Sequence, residues 1–189
     1  MSSIYGSASG ANVIYGKNNY GVAFGGAVGC VEATYTFVGT MNDSVSITSA
    51  GTKACGQTFA SGVVVDKNIV RATFSLGKQG SPTGIIYCRI WDADDPASII
   101  ETSTSEVNIA GLVTFPTFED KIFEFSGDNK LEAGYWIGCE YNAGSATNRG
   151  KVEQTTLTLV ANTSSGSLTG STWVADTGRE TNCSIVYCQ

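Results

Sequence analysis

Residues 69–76 alternate, with Val70, Ala72, Phe74 and Leu76 on one side and Ile69, Arg71, Thr73 and Ser75 on the other. That two-residue period belongs to a strand with one face buried and one facing water. The same period recurs downstream. Ile86, Cys88 and Ile90 share one face, as do Ile137, Cys139 and Tyr141, while Phe123 and Phe125 oppose Glu124 and Leu157 and Leu159 alternate with Thr156 and Thr158. Strands are expected over 30–37, 44–48, 55–59, 63–65, 69–76, 85–92, 99–102, 106–109, 121–125, 135–141, 151–160 and 183–187. Clusters such as Gly80-Ser81-Pro82-Thr83-Gly84 and Ser126-Gly127-Asp128-Asn129 punctuate them as turns. No stretch keeps a 3.6-residue apolar period over three turns, so the pattern predicts an all-β antiparallel sandwich.

The N-terminal stretch has the same strand-like texture and almost no charge. Up to residue 42 the only charged side chains are Lys17 and Glu32, yet 12–15 and 20–24 alternate like strands. Such a segment lacks the charge and proline that keep a tail solvated. The chain therefore divides into an extension over 1–42 and a sandwich domain over 43–189. Val13, Tyr15, Val22 and Phe24 are the side chains that would fill apolar grooves if the extension adds as a strand, to its own sheet edge or to that of a neighbouring copy.

Composition narrows the partners. The chain has 189 residues, 15% charged, with 23 glycines and three prolines, which suits many short strands joined by small polar turns. Its net charge is -6 and its 11 cations are scattered, so no basic surface for nucleic acid is expected. No apolar run reaches the roughly 18 to 20 residues needed to span a bilayer, and membrane insertion is not expected. No charged n-region followed by an apolar h-region opens the sequence.

Six cysteines, Cys30, Cys55, Cys88, Cys139, Cys183 and Cys188, include no Cys-x-x-Cys pair, which turns the reading away from zinc and towards disulfides. The alternative is that some are small buried hydrophobes, and alternation points Cys88 and Cys139 inward. Cys183 and Cys188 fall on opposite faces of one strand, roughly 16 Å apart if extended, and so do not bond each other. Cys188 is the candidate for a bond to another strand or subunit. Disulfides imply an oxidising setting, extracellular or on a cell or virion surface, or else the cytosol of a hyperthermophile.

The strings Ile69-Val70-Arg71-Ala72-Thr73-Phe74-Ser75-Leu76, Lys78, Gly80-Ser81-Pro82-Thr83-Gly84 and Tyr87-Cys88-Arg89-Ile90-Trp91-Asp92 are followed by Phe123-Glu124-Phe125 and Leu131-Glu132-Ala133-Gly134-Tyr135-Trp136-Ile137-Gly138. The block from Val64 to Tyr141 that they span resembles a family of jelly-roll β-sandwich domains found in archaeal and bacterial surface proteins, extracellular filaments and virus-associated proteins. The resemblance covers roughly two-fifths of the chain and implies a jelly-roll fold. It carries no catalytic residues.

The chain has no histidine. Ser-His-Asp and Cys-His activation, histidine metal sites and the usual near-neutral base are thereby removed, and no enzymatic reading rises above background. Asp92, Asp94 and Asp95 lie within four residues and offer oxygen ligands suited to calcium, but the EF-hand glycine and terminal Glu are missing. The competing reading is a polar turn closed by Pro96. Tyr87, Arg89 and Trp91 project opposite Ile86, Cys88 and Ile90, and Trp136 lies on a comparable outward face. These could stack on a glycan, be covered by a subunit or the N-terminal strand, or pack within the chain. Sequons at Asn42, Asn162 and Asn182 are no more than chance supplies.

The expectation is a structural protein, a subunit of an extracellular filament or surface array that self-associates head to tail through its N-terminal strand. The alternative is a carbohydrate-binding module or virion surface protein contacting glycans.

Overall fold

The computed structural model describes residues 30–36, 42–93, 95, 97–156 and 163–189. In chain order the strands are β1 (Glu32–Thr36), β2 (Asp43–Ile47), β3 (Thr52–Phe59), β4 (Lys67–Gln79), β5 (Ile85–Trp91), β6 (Ile99–Thr102), β7 (Val107–Asn108) and β8 (Glu119–Glu124). After these come β9 (Lys130–Leu131), β10 (Trp136–Tyr141), β11 (Arg149–Thr155), β12 (Thr163–Thr169), β13 (Thr172–Asp176), β14 (Glu180–Thr181) and β15 (Cys183–Cys188). The helical content among the described residues is one 3-10 turn, Ile109–Gly111, which Asn108 caps by accepting from the Ala110 amide.

These strands form two antiparallel sheets, a β-sandwich. The first runs β1-β15-β4-β11-β14, with β2 on β11 and both β8 and β9 on β4. The second runs β13-β12-β3-β10-β5-β6, with β7 on β5. Inward faces meet in a core that includes Phe59, Phe74, Phe123, Ile137 and Ile185. The alternation of the sequence is realised most fully in β5 and β10, where Ile86, Cys88, Ile90, Ile137, Cys139 and Tyr141 are all fully buried.

Two local expectations are corrected. In β4 the inward set is Ile69, Ala72, Phe74 and Leu76, with Val70 only half-buried. The register against β15 jumps from Val186↔Arg71 to Tyr187↔Ile69, so Val70 is the extra residue of a bulge, and a bulge exchanges the two faces beyond it. Residues 63–65 form a turn instead of a strand. Gly62 at φ 119° and Asp66 at φ 61° break the extended backbone, and Val64 plugs the core from that turn while Val63 stays exposed.

The first sheet forks. β4 and β11 pair from Arg149↔Gln79 to Val152↔Leu76 and then part. β14 pairs with the far end of β11, with Gln154↔Thr181, while β15 pairs with β4, with Cys183↔Phe74. Asn182 stands at the branch: its amide donates to the Glu153 carbonyl (3.0 Å) and its own carbonyl accepts from Ser75 N (3.4 Å). Side chains of β14 are thereby turned into the space between the sheets.

Candidate functional site

The first candidate is the corner where the described chain begins. Cys30 and Cys188 form a disulfide with Cα atoms 5.2 Å apart, across a sequence separation of 158. Cys188 thus bonds within its own chain, to a residue just ahead of β1. β1 ends its sheet, paired with β15 from Glu32↔Cys188 to Thr36↔Ser184, and β15 in turn pairs with β4. Tyr35 packs edge-on against Phe59 of the other sheet, centroids 5.4 Å apart. Its burial, with Cys183 and Glu180 nearby, pushes the phenol up to about 12.

The expectation of disulfides for the other four cysteines is corrected, because Cys55, Cys88, Cys139 and Cys183 are free and buried. Cys55, Cys139 and Cys88 lie in register on β3, β10 and β5, and Cys183 comes from the first sheet. Burial raises the pKa of Cys139 and Cys183, and pushes Cys55 up to about 12. All four pack as small core residues, and Cys55, Cys139 and Cys183 have little thiolate character.

The second candidate is a polar seam between the sheets. Gln57 on β3, Gln154 on β11, Thr163 and Ser165 on β12, and Glu180 and Thr181 on β14 are all buried, with Ser165, Glu180 and Thr181 fully so. Their hydrogen bonds run across the interface. Gln57 Nε2 donates to Glu180 Oε2, Thr163 Oγ1 donates to Glu180 Oε1 (2.6 Å), and Thr181 N donates to Gln57 Oε1 (2.9 Å). Thr181 Oγ1 donates to the Gly56 carbonyl (3.0 Å) and lies 2.9 Å from Ser165 Oγ. Gln154 Nε2 donates to Ser165 Oγ and, at 3.4 Å, to Cys55 Sγ. Its carbonyl oxygen Oε1 is buried without a partner. Desolvation holds the Glu180 carboxyl above the usual carboxylate range, against the opposing bonds from Thr163 and Gln57. A carboxyl so placed tends to keep its proton.

The aromatic residues expected on the surface are differently placed. Trp91 and Trp136 do leave the sheet opposite the main core, but they are 1% and 6% exposed, because Trp173 of β13 covers them. Trp173 stacks on Trp136 at 4.5 Å with an interplanar angle of 1° and meets Trp91 edge-on at 5.1 Å. Flat pairing would hold the backbones of β5 and β13 about 19 Å apart, four strand spacings, so the sheet curls towards this face. Gly138, Gly56 and Gly166 lie in register across three strands and leave the floor bare. A Cβ at Gly166 would stand 2.5 Å from Trp136 Cζ3. Beside this stack Arg89 pairs with Glu140 and lies 5.6 Å from the Tyr87 ring centroid. Tyr87 and Arg89 remain half-buried.

Asp95 accepts from Ala97 N through Oδ1 (3.0 Å) and from Ser98 N through its carbonyl (2.8 Å), which is the geometry of a polar turn. Asp92 N in turn donates to the Ser98 carbonyl. Among the described residues no three Asp, Glu or Cys side chains gather as metal ligands, and Asp94 lies outside them. Val13, Tyr15, Val22 and Phe24 also lie outside the described residues, as do Leu157 and Leu159. A shallow depression of about 300 Å³ is lined by Asp43, Glu153, Phe115 and Phe118. Its carboxylates are engaged, Asp43 with Arg179 at 3.0 Å and Glu153 with Asn182 at 2.6 Å.

The seam and Trp173 both escape sequence reading. Residues 163–169, Thr-Ser-Ser-Gly-Ser-Leu-Thr, carry no apolar alternation, and only the wide gaps between seam residues hint that separate strands must bring them together. No family model matches this chain, and no curated protein or solved structure does either.

Proposed function

We propose that this protein is a structural subunit of an extracellular filament or surface array, built on a jelly roll and joined to the next copy by addition of its N-terminal segment as a strand. The jelly-roll reading is supported by the pairing of eight strands, β1, β3, β4, β5, β6, β8, β10 and β15. A rolled-up hairpin requires first with last, second with seventh, third with sixth and fourth with fifth. The corresponding pairs here are β1·β15, β3·β10, β4·β8 and β5·β6. Rolling then adds last with third and seventh with fourth, β15·β4 and β10·β5. β11 to β14 would be an insertion between the seventh and eighth strands.

The observation that carries the functional reading is the placement of the Cys30–Cys188 bond. Tension on an N-terminal segment held by another copy would peel β1 from the sheet edge one ladder bond at a time. The disulfide instead passes that tension to β15, a strand paired on both sides. β1 and β13 stand at ends of their sheets, with β14 and β6 at the other ends, and such a segment would add at one of these edges. The disulfide also suits an extracellular or surface setting. The glycan alternative has less support, since Trp91 and Trp136 are both covered by Trp173.

Deletion of residues 1–25 tests this. The truncated protein should keep its β-sheet circular dichroism and its disulfide while light scattering and negative-stain microscopy find monomers where the full chain gives polymers. Polymers formed by the truncated chain, or a full chain that stays monomeric, would sink the reading.

A further inference from the structure

We propose that the polar seam is a self-modifying site at which Ser165 of β12 forms an ester with the side-chain carboxamide of Gln154 on β11, joining the two sheets covalently. The step needs no outside reagent. Ser165 Oγ attacks Cδ of Gln154, the Oγ–Cδ bond forms as Cδ–Nε2 breaks, and the hydroxyl proton leaves on Nε2 as ammonia.

Three features of the seam favour it. Gln154 Nε2 donates to Ser165 Oγ, which sets the hydroxyl against the nitrogen bonded to Cδ, and the two side chains are held there from both sheets. A small rotation that brings Oγ to about 3–3.5 Å from Cδ would make the reaction intramolecular at an effective concentration of roughly 10⁵ to 10⁸ M. Second, both residues are sealed from water, Ser165 fully and Gln154 to 1% exposure, so an ester once made is protected from hydrolysis. Third, Gln154 Oε1 is buried without a donor. An amide oxygen is a strong acceptor and costly to leave unpaired, whereas an ester oxygen is a weaker one, so the exchange relieves the penalty.

The surrounding bonds orient the nucleophile. Thr181 Oγ1 gives its proton to the Gly56 carbonyl, which leaves it to accept from Ser165 at 2.9 Å. Thr181 is itself fixed by Gln57, and Gln57 by Glu180. Glu180 is therefore a positioning residue. Cys55, the other nucleophile beside Gln154 at 3.4 Å, is a fully buried thiol and would give the less stable thioester.

The test is the intact mass of the native full-length chain after reduction of its disulfide. The expected mass is one ammonia below that of the sequence. The tryptic peptide between Lys151 and Arg179 contains both partners. Its chymotryptic halves, cut after Leu157 or Leu159, should stay joined until hydroxylamine releases them. Cys55→Ala should keep the loss and Ser165→Ala should abolish it. A folded wild-type chain at full sequence mass would overturn the proposal, as would a loss that survives Ser165→Ala or maps away from Gln154.

Discussion

Removing the Cys30–Cys188 bond should cost this protein several kcal/mol, nearly all of it through the unfolded chain. The bond closes a loop of 158 residues, for which the chain-entropy relation gives about 5 kcal/mol, an upper figure because real denatured chains retain structure. Other ties at this corner are smaller. The Arg71–Glu32 ion pair is 36% and 39% exposed, and such pairs contribute about 0–1 kcal/mol. β1 is further held by its five-residue ladder, the Tyr35 contact with Phe59, the half-buried Ala33 against the core and the Thr36–Ser184 hydroxyl pair at 3.3 Å. Urea unfolding of Cys30→Ser, Cys188→Ser and the double variant should each show a loss of about 3–5 kcal/mol, with the double no worse than either single, because one substitution already removes the whole cross-link. A domain of ordinary stability holds about 5–15 kcal/mol, so these variants should sit near the edge of folding at 37 °C. In the folded fraction β1 should fray, and Tyr35, held at about 12 by burial, should titrate nearer its ordinary 10.0. A loss below about 1 kcal/mol, or losses that add in the double variant, would refute the argument that this bond anchors the corner.

Gly166→Ala should cost about 1–3 kcal/mol through overpacking and weaken the tryptophan near-ultraviolet circular dichroism, since the new methyl meets Trp136 at 2.5 Å and the Val174 carbonyl at 3.0 Å; wild-type stability and spectrum would contradict the stacked geometry. Glu180 binds its proton more tightly folded than unfolded, so stability should be full below the ordinary 4.5 and decline as pH rises through the elevated folded value. Glu119, whose pKa is lowered by Lys121, contributes the opposite slope in both proteins, so urea midpoints should fall with pH in the wild type relative to Glu180→Gln; a wild-type midpoint that rises with pH relative to the variant would reverse the assignment. The four free thiols, all buried, should resist Ellman's reagent in the native protein and react together in urea, and rapid native labelling of any one would show that its strand opens.

Whether a strand is legible in the sequence depends on what its two faces meet. In β5 and β10 one face meets the apolar core, so alternation named Ile86, Cys88, Ile90, Ile137, Cys139 and Tyr141 correctly. β12 could not be recognised in the same way. Its inward residues Thr163 and Ser165 meet the seam, and outward Gly166 lies under Trp136, so neither face offers the apolar period that marks a strand. Val70 misled because a bulge leaves no trace in residue type. The cysteines misled for another reason: a half-cystine and a core thiol occupy the same inward positions, and only three-dimensional register tells Cys55-Cys139-Cys88 from a bonded pair.

The seam lies where the first sheet is weakest. Beyond Val152 and Leu76, β4 and β11 no longer hydrogen-bond each other, and apolar side chains alone would let β14 slide, because hydrophobic contact is non-directional. Hydrogen bonds are directional, and Thr181 can satisfy both Gln57 and Gly56 at one register only. A slip by one residue would bury Glu180 away from Thr163 and Gln57, at the full desolvation cost of an unpaired carboxyl. The polar groups thus convert a junction that could settle in several ways into one that settles in one. The same junction fixes Asn182, and through it the start of β15. β15 is the strand that receives Cys30, so the strength of the disulfide corner depends on the seam that sets the strand's position.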